Sequence, residues 1–137
     1  MAGLNLILVT HAEKLLEIEC SAVGLPGRKG DMGILPGHAA LISTLRPGEL
    51  SYQPADGGAR RFVAVAPGFC EVADDTVTVL TETAVPAEDI DAAAATTERD
   101  ELASEYARAS FEDQGALKDR VDTAQARVDV AARASGG

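Results

Sequence analysis

Proline distribution constrains this chain most. All six prolines, at positions 26, 36, 47, 54, 67 and 86, fall at or before Pro86. Ten of the 13 glycines precede it as well, and 14 alanines follow between Ala87 and Ala134. Proline and glycine punctuate turns and interrupt helices, whereas alanine favours helix. The 137 residues therefore divide into a β region, 1–85, and a helical region, 86–137. Charge follows the same division: six basic against ten acidic residues in the first part (−4), six against twelve in the second (−6), for a total of −10.

Period-two alternation marks the first part as half-buried strands. Leu4, Leu6 and Leu8 share one face. Leu16, Ile18, Cys20 and Ala22 alternate with Glu17, Glu19 and Ser21, and Val77 and Val79 alternate with Thr76 and Thr78. Arg60–Val65 is a shorter apolar run. Turns are expected at Gly24–Gly27, Pro36-Gly37, Pro47-Gly48, Asp56–Gly58, Pro67-Gly68 and Asp74-Asp75. Short strands at this spacing predict a sandwich or small barrel, whose closure hides strand edges.

The second part reads as two helices. Pro86 suits a helix start, and Glu88, Asp89 and Asp91 place negative charge at its positive end. Leu102, Tyr106 and Ala109 recur at helical spacing, and Gly115 predicts a break after Phe111. Leu117, Val121, Ala124 and Val128 form one narrow stripe, and Ser135–Gly137 is expected to fray. Both stripes are alanine-rich and bury little area, so the hairpin needs a host surface. A movable arm and a permanently docked hairpin fit the residues equally.

Composition removes several function classes. An acidic chain repels phosphates and anionic lipid, which argues against unaided nucleic-acid binding or direct membrane attachment. Apolar residues make up 46% of the chain, aromatics 4%, and Trp is absent, so the core is aliphatic and stacking platforms are scarce. No apolar run reaches the ~18 residues of a membrane span. The first residues lack a basic, then apolar, secretory pattern, so Cys20 and Cys70 are expected as buried thiols. His11 and His38 lie far apart outside any Cys/His cluster, so no metal site is expected. Gly24, Gly27, Gly30 and Gly33 match neither G-x-G-x-x-G nor a P-loop, and read as a tight loop that needs permissive backbone. No catalytic residue and no cofactor emerge.

One stretch is specific: the Gly/Pro-dense segment Gly27–Leu41 containing Pro36-Gly37-His38-Ala39, followed by Leu45-Arg46-Pro47-Gly48. With Gly68-Phe69-Cys70-Glu71-Val72, Val77-Thr78-Val79-Leu80 and Ile90-Asp91 in the same order, it resembles the epsilon subunit of the rotary F-type ATP synthase along nearly the whole chain. The resemblance implies an α+β, mainly β fold: an N-terminal flattened ten-stranded β-sandwich followed by a C-terminal antiparallel two-helix hairpin. It implies a non-catalytic rotor subunit at the foot of the central stalk, peripheral to the cytoplasmic face of a bacterial inner membrane. There it would be joined to the gamma subunit and the c-ring, with alpha and beta as partners of the hairpin.

Residue by residue, the resemblance places Gly30, Asp31 and Met32 against the c-ring, and Thr10, His38 and Ser43 against gamma. Taken alone, Asp31 also reads as a solvated turn aspartate and His38 as a cap on the Pro36-Gly37 turn. Ala40 stands where the family usually has proline. Family members that hold ATP carry arginines in both helices. Here Ala94 replaces the first, and only Asp91 and Arg127 remain as remnants, so nucleotide binding is expected to be weak or absent. Inhibition of ATP hydrolysis by an extended arm needs basic residues on the second helix. Lys118, Arg120, Arg127 and Arg133 are interleaved with Asp119, Asp122 and Asp129, a pattern that argues against electrostatic capture. Competing readings are a free-standing β-sandwich interaction module with a helical tail and a small hydrolase with paired carboxylates; the latter lacks any site pattern.

Overall fold

The computed structural model describes residues 3–134. Strands β1 (Leu4–Thr10), β2 (Lys14–Gly27), β3 (Gly30–Ile34), β4 (Leu41–Leu45), β5 (Gly48–Pro54), β6 (Arg61–Val65), β7 (Gly68–Ala73), β8 (Thr76–Thr81) and β9 (Ala84–Pro86) precede a 3-10 turn at Ala87–Asp89. Helices α1 (Ala92–Arg108) and α2 (Phe111–Ala134) complete the order. The strands run β1-β8-β7-β4-β2-β5-β6-β9, with β3 on β2, and a further β1–β2 pairing closes part of the ladder on itself.

Nine continuous strands carry the expected sandwich because β2 serves twice. Its first half pairs with β1 from Lys14 to Cys20, and its second half pairs with β3 and β5. A bulge between Cys20 and Ala22 reverses the side-chain parity, so Cys20 and Val23 both point into the core. Leu4, Leu6 and Leu8 are buried as the alternation requires, against Val77 and Val79 of the parallel neighbour β8. Asp74 and Asp75 adopt φ of 51° and 61° and form the two-residue turn between β7 and β8.

Four expectations are corrected. Gly24–Gly27 is strand rather than turn: Pro26 offers its carbonyl to the Arg46 N–H (2.9 Å), and the chain reverses at Arg28-Lys29. Gly27 and Gly30 face each other there; a Cβ on Gly27 would lie 2.6 Å from the Gly30 carbonyl oxygen, and Gly30 has φ of 141°. Pro86 ends β9 and caps the 3-10 turn, and α1 begins only after Asp91, whose carboxylate accepts from the Ala94 N–H (3.0 Å). The hairpin breaks at Ala109-Ser110, where the Ser110 carbonyl accepts from Asp113 and Gln114 (3.0 and 3.1 Å), and Gly115 lies inside α2. On α2, Leu117 and Ala124 are buried as expected, but Val121 and Val128 are only half-buried. The residues that meet the sheet are Ala126 and Val130, packed on Ala64 and Ala87 with Phe62 and Ile90 alongside. The expectation for Ser135–Gly137 falls outside the described residues.

Candidate functional site

Two surfaces of the sandwich differ in what covers them. Over β5 and β6 lies α2, with α1 packed in turn on α2. Over β1, β8, β7 and β4 no helix packs among the described residues. Register places Ile7, Thr78, Glu71 and Ile42 in one outward row and Val9, Leu80, Phe69 and Thr44 in the next. Ile42 is 74% exposed and Phe69 47%. An apolar patch on an outward sheet face is the usual mark of an interface. Sequence reasoning missed Ile42 and Phe69; the available signal was Leu41-Ile42, where an apolar residue occupies the outward parity.

The predicted gamma-side residues sit on or beside this sheet without forming one cluster. Ser43 lies opposite Cys70 on the inward parity, half-buried, with its hydroxyl donating to the Thr44 carbonyl (3.1 Å). Thr10 ends β1, and its hydroxyl accepts from the Ala12 and Glu13 N–H groups (both 3.3 Å), fixing the β1–β2 turn. His38 stands beyond the opposite end of the same sheet. Its Nδ1 meets the Ala39 carbonyl (2.7 Å), while the Pro36-Gly37 turn is capped by the Asp75 carboxylate on the Gly37 N–H (2.7 Å). The cap expected of His38 therefore belongs to Asp75.

Gly30, Asp31 and Met32 form the start of β3. The Asp31 carboxylate is largely exposed and pairs with Arg46, and Met32 packs on the core. Asp31 and Met32, with Glu49, Asp122 and Asp129, border a groove of about 470 Å³ between β3 and α2.

Asp91 and Arg127 are not brought together as a phosphate cradle. Asp91 is committed to the α1 N-terminus. Arg127 donates to the Thr83 hydroxyl (3.2 Å) and lies 3.8 Å from Glu98, on a cleft of about 370 Å³ that also carries Glu82 and Asp119. Three carboxylates beside Arg127 and Arg120 oppose a polyanion there. Among the described residues, no group of three His, Cys, Asp or Glu side chains could hold a metal, and no helix is long and apolar enough to cross a membrane. Cys20 and Cys70 are free and buried; burial pushes both thiols up, Cys20 to about 11.

A β-sandwich whose ladder partly closes on itself, carrying a docked two-helix tail, is the fold class these elements define. Comparison supplies the rest. Residues 3–87 match the family model described as ATP synthase, Delta/Epsilon chain, beta-sandwich domain. The chain is 40% identical over 131 residues to the ATP synthase epsilon chains of Bordetella petrii and Bordetella avium, covering 96% of this chain and 86% of each relative. The chain belongs to the ATP synthase epsilon chain family. Its fold matches a chain of the Euglena gracilis mitochondrial ATP synthase OSCP/F1/c-ring structure (TM-score 0.81, 23% identity, 96% and 82% covered). It also matches one in the Tetrahymena thermophila mitochondrial ATP synthase central stalk/c-ring structure (TM-score 0.60, 14% identity, 92% and 94% covered).

Proposed function

We propose that this chain is a non-catalytic rotor subunit of a proton-translocating F-type ATP synthase, peripheral to the cytoplasmic face of a bacterial inner membrane. Residues 1–85 are the body that binds gamma and the c-ring, and residues 86–137 are the arm. The observation that carries the reading is the bare outward face with Ile42 and Phe69, on a sandwich whose opposite side is already occupied by its own helix. Gamma docks on that sheet, with Thr10 and His38 at its two ends and Ser43 within β4, and the start of β3 at Gly30-Asp31-Met32 meets the c-ring. Coupling needs a body that does not shear, and the closed ladder supplies it. The engagement of Arg127 and Asp91 elsewhere supports an arm without nucleotide affinity, and the mixed charge on α2 gives it little hold on alpha or beta.

A pull-down from solubilised membranes tests the reading: the chain is expected to bring gamma and the c-ring with it, and Ile42→Asp to lose gamma. Recovery of neither would favour the free-standing interaction module. Mg-ATP titrated into the isolated chain is expected to give no heat at micromolar concentrations, and saturable micromolar binding would overturn the nucleotide part.

A further inference from the structure

Asp75 stands where glycine would fit the backbone better. Asp74 and Asp75 both hold φ above zero, 51° and 61°. A two-residue hairpin turn of this kind favours Asn or Asp first and Gly second, because a Cβ in the left-handed region crowds the following carbonyl. Asp75 keeps that strain, and its carboxylate makes a contact that glycine could not. One oxygen accepts the Gly37 N–H at 2.7 Å, across 38 residues of sequence. The Asp75 carbonyl in turn accepts the Asn5 N–H at 2.8 Å, so the residue is itself anchored to the first strand.

The bond reaches a segment that little else secures. Leu35-Pro36-Gly37-His38 is closed by the His38 N–H on the Leu35 carbonyl (3.1 Å), with Gly37 at φ of 86°. Proline then glycine at the two central positions is the type II pattern. Such a turn fixes its own shape but not its direction relative to the sheet. Leu35, Ala39 and Ala40 are exposed, so packing holds the segment only at the half-buried Pro36 and His38. Among the described residues, the Gly37–Asp75 bond is the one hydrogen bond that ties Leu35–Ala40 to another part of the chain. An ionised acceptor makes it shorter and stronger than a neutral one. Both partners lie at the same end of the outward sheet: the turn leads into β4, which carries Ile42, and Asp75 joins β7, which carries Phe69, to β8.

We propose that Asp75 is a positioning residue for the gamma contact: its carboxylate sets where His38 stands beside the face that carries Ile42 and Phe69. The inference rests on the rotor reading and goes beyond it, assigning a role to a residue outside the docking rows. Stability and binding then pull in opposite directions at this position, since glycine would relieve the backbone and release the turn.

The test uses the full chain, amide exchange at Gly37, the urea midpoint, and binding to a gamma-containing F1 complex stripped of its own copy of this subunit. Asp75→Gly is expected to speed exchange at Gly37 about tenfold and to weaken binding about tenfold, while the midpoint holds or rises. Asp75→Asn keeps an acceptor oxygen in place and is expected to return both to within about threefold of the unaltered chain. Asp74→Gly relieves the neighbouring strain without touching the bond, and is expected to change neither. The proposal is overturned if Asp75→Gly leaves exchange at Gly37 or binding to gamma within about twofold, or if Asp75→Asn is as weak as Asp75→Gly. It is overturned equally if Asp75→Gly lowers the midpoint, which would make the residue structural. An unaltered chain that does not bind gamma overturns the rotor reading and the positioning role together, and so is told apart from a failure confined to the variants.

Discussion

The body and the arm of this molecule cohere by different means. In the body, Leu6, Leu8, Val77 and Val79 are wholly buried, and the ladder that carries them returns to its own first strand. In the arm's contact with the body, three of the four buried residues are alanines, and only Val130 adds a larger side chain. Burial contributes by area, so one leucine in the body outweighs several alanines in the seam. The lesson is that a chain can fix one part by packing and leave another to a few specific contacts, all within a single fold.

The contrast predicts a graded set of outcomes. Leu8→Ala is expected to cost about 2–5 kcal/mol of unfolding free energy, read from the urea midpoint, because a closed sheet has no room to collapse around the cavity. Val130→Ala removes two carbons and is expected to weaken docking by about 1.5 kcal/mol, at ~0.8 per methylene, while leaving the body's midpoint in place. If both substitutions lowered that midpoint equally, body and arm would form one cooperative unit and the comparison would fail. Asp91→Ala deletes the cap of α1 and is expected to cost about 1 kcal/mol of helix stability, seen as lost ellipticity without loss of the sheet signal.

A last effect is confined to alkaline pH. Burial raises Cys20 from 9.0 to about 11, so the folded chain holds this proton more tightly than the unfolded one. Its contribution is complete below pH ~9 and fades as pH rises through about 11. The urea midpoint is expected to fall over that window, and Cys20→Ala to flatten the fall. A slope unchanged by the substitution would show that the thiol plays no part.

Much of the body was legible because its alternation is strict. Leu4, Leu6 and Leu8, and Val77 and Val79, point inward as read. Gly24–Gly27 was misread because glycine and proline signal turns locally, whereas here the reversal needs only Arg28-Lys29 and the strand passes through Pro26 to a pairing partner distant in sequence. The hairpin break was hidden for the converse reason. Gly115 is tolerated in an exposed part of the helix, and the true stop is written as Ser110 with Asp113 three residues on, their side chains 3.1 Å apart. Docking of α2 through Ala126 and Val130 was not readable, since alanine occurs on every side of that helix. The outward patch escaped for a simpler reason: a single isoleucine at the wrong parity looks like noise until its neighbours on other strands are known.

The self-closing ladder has a mechanical corollary. Strands β1, β8, β7, β4 and β2 return on themselves through the β1–β2 pairing, so none of β1, β7 and β8 can slide past its neighbours without breaking several bonds together. The ladder's last strand ends at Pro86, and the backbone then passes through one 3-10 turn and two extended residues before any long helix begins, with Ala87 and Ile90 packed into the seam, so the wall of the body continues into the root of the arm.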